Sequence, residues 1–301
     1  MDLTDPTLAE STLSPTVKVA DDTFDPTRIA RCTLCIEIDE ARFRFCFVEE
    51  APRRYVWLED YAFDTFLNDE EYLDKLKTLV AAHPYLPSDQ WKDVRIAVNT
   101  PAFTMIPAPL FRKEYAADYL QLATGGAASA ESRMLSHPVA PVDAYTLFTM
   151  PTAWSDWLLG QYPLQSIDFY HFTCPLIIGA IASHAEHDHP RLVTIHVEAT
   201  HFILIYTEEK GLKFCNRFPY QNAAEMTYLV LFTMNRLQLL PEELKVLLYG
   251  EVTPFSELYA ELARFIPKLH FGKSPKTIQY VPEFEDIPEH RYFGLLNTFL
   301  I

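Results

Sequence analysis

The fold is decided by residues 33–61, which read TLCIEIDEARFRFCFVEEAPRRYVWLEDY. Aromatic and β-branched residues fill three runs in this stretch, and short polar segments separate them. Such runs are typical of β-strands, and connections this short join antiparallel neighbours. The stretch therefore predicts a three-stranded antiparallel meander.

Helices and strands alternate after the meander. Asn68 and the three acidic residues that follow it predict the start of a helix, because such residues cap and stabilise a first helical turn. Residues 94–99 (VRIAVN) predict a buried strand, and Pro175 opens a predicted helix over 176–185. Residues 125–142 show no clear period and predict a loop. The alternation indicates an α/β protein.

The second half of the chain repeats the first. Apolar positions of the meander recur 159 positions later without a gap, in the pairs Ile36 and Ile195, Ile38 and Val197, Phe43 and Phe202, Phe45 and Leu204, and Phe47 and Tyr206. Residues 293–296 (FGLL) also echo residues 178–181 (IGAI). Chance similarity between amphipathic strands is the alternative, but the shared order of elements favours duplication.

The repeat predicts the domain organisation. Residues 1–31 are interpreted as a partly ordered leader. Residues 32–189 form a first lobe with an insertion near 112–165, and residues 190–301 form a second lobe. Each lobe is expected to hold a mixed five-stranded sheet with flanking helices.

Composition excludes several classes of partner. The net charge is −16, and a chain this acidic lacks the basic face that nucleic acids require. No apolar run approaches the roughly 20 residues needed to span a bilayer. The apolar C-terminal run 292–301 indicates a core helix or, alternatively, a membrane-docking helix, although it lacks basic residues for the latter role. Five cysteines, an odd number, favour a reducing, cytoplasmic location.

Glycine is scarce. Average usage of about 7% would give roughly 21 glycines in a chain of this length, whereas the sequence has 8. Loops that hold phosphates use glycine so that backbone N–H groups can approach the anion closely. Neither a GxGxxG motif nor a Walker motif is present, so the sequence argues against a phosphate-binding loop of these types.

Two stretches carry a family resemblance. Residues 196–220 (HVEATHFILIYTEEKGLKFCNRFPY) and 248–262 (LYGEVTPFSELYAEL) resemble the DUF3822 family of Bacteroidetes. The duplicated order of elements over residues 32–301 is similar to that of the actin-like ATPase superfamily, whose lobes have RNase H-like folds. The resemblance implies two such lobes around a cleft. It brings no established activity.

The resemblance also implies where a nucleotide would bind. Asp39 stands where a carboxylate of these ATPases positions metal-bound water, but the expected glycine and hydroxyl do not follow it. Glu198 begins the second turn, in which Thr200 is a possible phosphate ligand. Gly250 corresponds to the adenosine-contacting segment, or serves only as a strand-to-helix turn.

Two further groups have alternative interpretations. His184, His187 and His189 could bind a transition metal, or they could belong to a solvated polar loop. Cys32 and Cys35 match the C-x-x-C pattern of redox and zinc sites. Their position inside a predicted strand, where residues three apart face opposite ways, favours buried structural cysteines.

The sequence therefore predicts a non-catalytic binding or scaffold protein, a pseudoenzyme on an actin-like fold. Its expected partner is a protein or a small ligand in the interlobe cleft, and no cofactor is expected. The alternative is a divergent ATPase or phosphotransferase that uses ATP and Mg²⁺, with Asp39 as base or metal positioner.

Overall fold

A computed structural model describes residues 14–63, 67–273 and 278–301. Its strands are β1 (Val17–Ala20), β2 (Cys32–Asp39), β3 (Arg42–Glu50), β4 (Arg53–Ala62), β5 (Asp93–Val98), β6 (Phe103–Pro107), β7 (Ser132–Val139), β8 (Ala144–Pro151), β9 (Asp168–His171), β10 (Arg191–Val197), β11 (His201–Glu208), β12 (Gly211–Pro219), β13 (Lys245–Gly250), β14 (Leu269–Phe271) and β15 (Gln279–Tyr280). Its α-helices are α1 (Asp69–Ala82), α2 (Ala116–Thr124), α3 (Thr152–Gln161), α4 (Thr173–Ala185), α5 (Ala223–Arg236), α6 (Glu257–Ala263) and α7 (Phe293–Asn297).

The first sheet contains the predicted meander. Strands β4, β3 and β2 are antiparallel, and β5 and β9 continue the sheet in parallel with β2. This gives the five expected strands, but the sheet has seven. Strand β1 of the predicted leader pairs antiparallel with β4, and β15 pairs parallel with the same strand. Both additions are too short to show a sequence period, and together they cover the outer edge of β4.

The second sheet repeats this order. Its strands run β12-β11-β10-β13-β14, with β10 antiparallel to β11 and parallel to β13. Strands β10 and β11 begin 159 positions after β2 and β3, as the repeat predicts. The chain therefore has the predicted mixed α/β architecture, with two sheets of the same strand order.

A third, three-stranded sheet has the order β6-β8-β7. The predicted loop over 125–142 was wrong for β7, which pairs with β8 along its whole length. Strand β7 contains Pro138, which cannot donate a backbone hydrogen bond. It is tolerated because β7 lies at the edge of the sheet. The sheet begins at Phe103, upstream of the predicted insertion limit at 112.

Helices α4 and α7 pack against each other between the two large sheets. A Cβ atom at Gly179 of α4 would lie 2.5 Å from Phe293 Cζ, and one at Gly294 of α7 would overlap the Phe172 ring. Gly179 and Gly294, which the sequence repeat aligns with each other, therefore allow α4 and α7 to cross closely. Helix α7 is buried, as the core interpretation of the C-terminal run predicted. Within the described ranges, no helix has the length and apolarity needed to cross a membrane.

Candidate functional site at the junction of the lobes

A buried arginine joins the two large sheets. Arg44, on β3, is 1% exposed. Its Nη1 donates to Glu37 Oε1 of the neighbouring strand at 2.6 Å and to Glu198 Oε1, just after β10, at 3.1 Å. Its Nη2 donates to Glu251 Oε1, just after β13, at 2.8 Å. One guanidinium group therefore bridges the first sheet to two loops of the second.

Further ion pairs surround this arginine. Asp60 of β4 lies 3.5 Å from Arg44 Nε and accepts from Arg42 Nη1 at 3.0 Å. Arg291 Nε donates to Glu251 at 3.0 Å, and the Tyr292 hydroxyl lies 3.1 Å from Asp60 Oδ2. We call this set the Arg44 cluster; its charged members are Glu37, Arg42, Arg44, Asp60, Glu198, Glu251 and Arg291.

Burial changes the proton affinity of the cluster. Burial, together with the charges of Glu198 and Asp39, raises the pKa of Glu37 to about 8 despite the opposing effect of Arg44. The Arg44 charge and the His196 hydrogen bond outweigh burial at Glu198 and hold the pKa of that carboxyl below its usual range. The raised pKa favours the protonated form of Glu37, which reduces the negative charge that the three arginines of the cluster face. A hydrogen-bonded group of paired charges can be buried.

Asp39 lies next to the cluster and lines a separate pocket. It ends β2, and its Oδ1 accepts a hydrogen bond from the Glu40 backbone N–H at 2.7 Å. Burial and the charge of Glu198 raise the pKa of Asp39 to about 7. The pocket has a volume of about 290 Å³ and lies between the ends of β2 and β5 and the third sheet.

In the second turn, residues 198–201, the Glu198 carboxylate is buried and the Thr200 hydroxyl lies at the surface. Glu198 is 2% exposed and accepts from Arg44, while its backbone N–H donates to the His201 carbonyl at 2.8 Å. Thr200 is exposed, and its hydroxyl lies 3.3 Å from His201 Nδ1. The two predicted residues of this turn therefore do not converge on one point.

His201 links the second turn to the first sheet. Burial and the Arg217 charge lower the pKa of His201 to about 3, so the ring is neutral. Arg217 Nη2 can only donate, at 3.1 Å, so His201 Nδ1 accepts and Nε2 carries the proton. The Asn99 side chain lies 3.1 Å from Nε2. Asn99 Nδ2 occupies that position, and because two donors cannot bond to each other, we assign the flipped amide, with its oxygen accepting from Nε2–H.

Position 250 requires glycine, because the backbone packs closely there. Its φ of 88° lies in the left-handed region, and a Cβ atom would overlap the Val197 carbonyl oxygen. Its N–H donates to the His290 carbonyl at 2.8 Å. The backbone donor of Gly250 is therefore used within the chain.

The three predicted metal-binding histidines bond to backbone carbonyls. His184 Nε2 lies 2.7 Å from the His189 carbonyl, His187 Nδ1 lies 2.7 Å from that of Ser183, and His189 Nδ1 lies 2.9 Å from that of Arg191. The structure therefore does not bring them together as ligands. Nowhere in the described ranges do three His, Cys, Asp or Glu side chains converge for a metal ion. Cys32 and Cys35 are buried and free.

The Arg44 cluster was missed by the sequence reasoning. Its signal was present, because Glu37 and Arg44 interrupt otherwise apolar strands. Charged residues are almost never fully buried unless they are paired. What the sequence could not show is that their partners, Glu198 and Glu251, come from the other half of the chain.

Comparison with solved structures identifies the fold. A protein of unknown function with an actin-like ATPase fold from Bacteroides thetaiotaomicron has a TM-score of 0.75 and 20% identity, covering 92% of this chain and 98% of that one. The PilM-PilN type IV pilus biogenesis complex has a TM-score of 0.64 and 12% identity, covering 89% and 97%. The predicted actin-like fold is thereby confirmed.

Sequence comparison gives the family without an activity. No functionally curated protein matches the chain significantly. The profile of a family described as a protein of unknown function, DUF3822, matches residues 21–269. The chain belongs to the DUF3822 family, as the resemblance of its aromatic-rich stretches predicted.

Proposed function

We propose that the chain is a non-catalytic binding or scaffold protein, in which the Arg44 cluster holds the lobes together in place of a nucleotide. The observation that carries this proposal is the fully buried Arg44, bonded to Glu37, Glu198 and Glu251. Side chains of this chain fill the junction beside both predicted phosphate turns. A nucleotide there would have to displace them.

The charge beside Asp39 supports the same proposal. Among the residues that the structure describes, the lining of its pocket includes the carboxyl groups of Asp39, Glu40 and Asp69 and no Lys, Arg or His. A triphosphate is strongly anionic, and sites for it supply basic side chains or free backbone donors. The lining residues do not fit ATP with Mg²⁺, and Gly250 has no free N–H to offer.

A protein partner is the binding role that the fold comparison favours. PilM, which shares this fold, forms a complex with the protein PilN in type IV pilus biogenesis. By analogy, we propose a protein or a small ligand as the partner of this chain, bound at the interlobe cleft or on a lobe surface. The analogy rests on the fold alone.

Thermal unfolding with and without ATP and MgCl₂ tests the proposal. We expect no change in the unfolding temperature, whereas a ligand that binds only the folded state raises it by an amount that grows with the logarithm of the ligand concentration above the dissociation constant. MgCl₂ alone is the control. A clear rise that increases with ATP concentration and needs both ATP and Mg²⁺ would contradict the proposal.

The alternative is a divergent ATPase or phosphotransferase, and one observation favours it. A carboxyl with a pKa of about 7, as at Asp39, is suited to general-base catalysis near neutral pH. Steady-state ATP hydrolysis by purified protein, compared with its Asp39→Asn variant, tests this alternative. Hydrolysis that the variant loses would favour it over the scaffold proposal.

A further inference from the structure

The Asp39 pocket has a volume close to that of a small-ligand site. Its walls come from the ends of β2 and β5, the start of α1, strands β7 and β8, and Trp154 of α3. A cavity of about 290 Å³ is close to the lower end of the range for ligand pockets, roughly 300 Å³. It lies in the first lobe, between the ends of β2 and β5 and the third sheet.

The lining carries buried polar groups without partners. Asp39 is 8% exposed, and within the described ranges it makes no ion pair. Asn99 is 1% exposed, and only one end of its amide reaches His201. The Thr100 hydroxyl is also buried without a hydrogen bond. Buried polar groups in folded proteins are normally satisfied, so these groups indicate a missing partner.

The charge of the residues that line the pocket indicates whether its ligand is a cation or an anion. Among the described residues, the lining carboxyl groups of Asp39 and Asp69 make no ion pair, whereas Glu40 lies 3.7 Å from Arg217 Nη2. The charges of Arg44 and Glu198 also act on Asp39 from the Arg44 cluster. The N-terminal end of α1 is positive, but Asp69 and the two acidic residues after it offset that charge. The pocket therefore repels anions and attracts cations. A metal ion does not fit, because no three ligands converge in the described part of the chain.

We propose that this pocket binds a primary ammonium group, with the Asp39 carboxylate as its ion-pair partner and the Thr100 hydroxyl as a second acceptor. The Asn99 amide N–H then points toward an oxygen next to the amine, which favours amines that carry a neighbouring hydroxyl or carbonyl. Trp154 and Met150 contact the carbon skeleton. The amine belongs either to a free small molecule or to a lysine side chain of a protein partner.

Isothermal titration calorimetry of the full chain with n-butylammonium chloride tests the proposal. We expect saturable binding at about pH 8, which is above the pKa of Asp39 and keeps the carboxylate ionised. Binding weakens as the pH falls through about 7, because protonation of Asp39 removes the ion pair. Sodium butyrate and 1-butanol, of similar size, are expected not to bind.

Matched variants identify the site. Asp39→Asn should weaken butylammonium binding at least about tenfold, because it removes one partner of a buried ion pair. Glu242→Gln, which changes an exposed carboxylate of the second lobe, should leave binding unchanged. If Asp39→Asn does not fold, Asp69→Asn changes an exposed residue at the mouth and should weaken binding at least about twofold at low salt.

A blocked lysine tripeptide separates the two sources of the amine. Tighter binding than butylammonium indicates a lysine side chain of a protein partner, and equal or weaker binding indicates a free amine. The proposal is overturned if butylammonium shows no saturable binding below about 10 mM. It is also overturned if butanol or butyrate binds equally well, or if folded Asp39→Asn binds like the unaltered chain.

Discussion

The two large sheets share one strand order but present different faces to the junction. Glu37 and Arg44 on the first sheet correspond, at the offset of 159, to His196 and Ile203 on the second. Arg44 joins a buried ion-pair cluster, whereas Ile203 packs among apolar residues that include Leu176 and Ile177 of α4. Duplication thus conserved the backbone pattern, while the residues that join the halves diverged. The charged face fixes how the lobes dock.

Removing the charged bridge should have the largest effect. Arg44→Met keeps an apolar side chain of similar length but leaves Glu198, Glu251 and Asp60 without their central partner. Breaking a buried ion pair by removing one partner costs about 3–5 kcal/mol. We expect a loss of that size in the free energy of unfolding, measured by urea denaturation.

Arg264→Met is the control for this variant. Arg264 pairs with Glu261 one helical turn away, and its side chain is 66% exposed. Exposed pairs of this type contribute about 0.3–0.5 kcal/mol. Equal losses in the two variants would show that the junction does not depend on the Arg44 cluster.

The helix crossing between the lobes should be the next most sensitive feature. Gly294→Ala places a methyl group into the Phe172 ring, and overpacking of this kind costs about 1–3 kcal/mol. Gly160→Ala, in α3, meets no atom within 4 Å and should be neutral or stabilising by up to about 1 kcal/mol. Thermal unfolding of both variants checks this contrast. A neutral Gly294→Ala variant would contradict the close crossing.

The pH dependence of stability should show a smaller effect. The pKa of Glu37 is raised to about 8 in the folded chain, so the folded state binds this proton more tightly than the unfolded chain does. Its contribution to stability is fully present below the ordinary carboxyl pKa and is lost as the pH rises through about 8. Glu37→Gln cannot ionise and should flatten this decline.

Urea denaturation between about pH 5 and pH 9 measures that slope, which we expect to be steeper in the unaltered chain than in Glu37→Gln. Glu257→Gln, at the solvent-accessible start of α6, provides a control in the second lobe. A Glu37→Gln variant whose stability declines with pH as steeply as that of the unaltered chain would show that Glu37 is ionised at neutral pH.

The alternation within single strands was enough to predict the repeat. Strand pairings between residues far apart in the sequence could not be predicted. The 159-residue offset locates β10 and β11 because each strand carries its own alternation. Strands β1 and β15 were missed because four and two residues are too few to show a period. Strand β7 was missed because residues 125–142 show no clear period, and an edge strand such as β7 also tolerates Pro138.

The candidate site was predicted only in part. Asp39 was singled out because the resemblance places it where a carboxylate of the actin-like ATPases stands, and it does line a pocket. The Arg44 cluster was not recognised, because its members lie as far apart in the chain as Glu37 and Arg291. No local spacing rule relates residues that only the docking of two lobes brings together. Buried charges within apolar strands are the one clue that the sequence offered.

A crystal structure grown with excess ATP and MgCl₂ tests the central claim most directly. The account predicts that the Arg44 guanidinium remains bonded to Glu37, Glu198 and Glu251, with no triphosphate beside the turns at 39–42 and 198–201. Density for a triphosphate against these turns, with Arg44 displaced from its carboxylates, would contradict it.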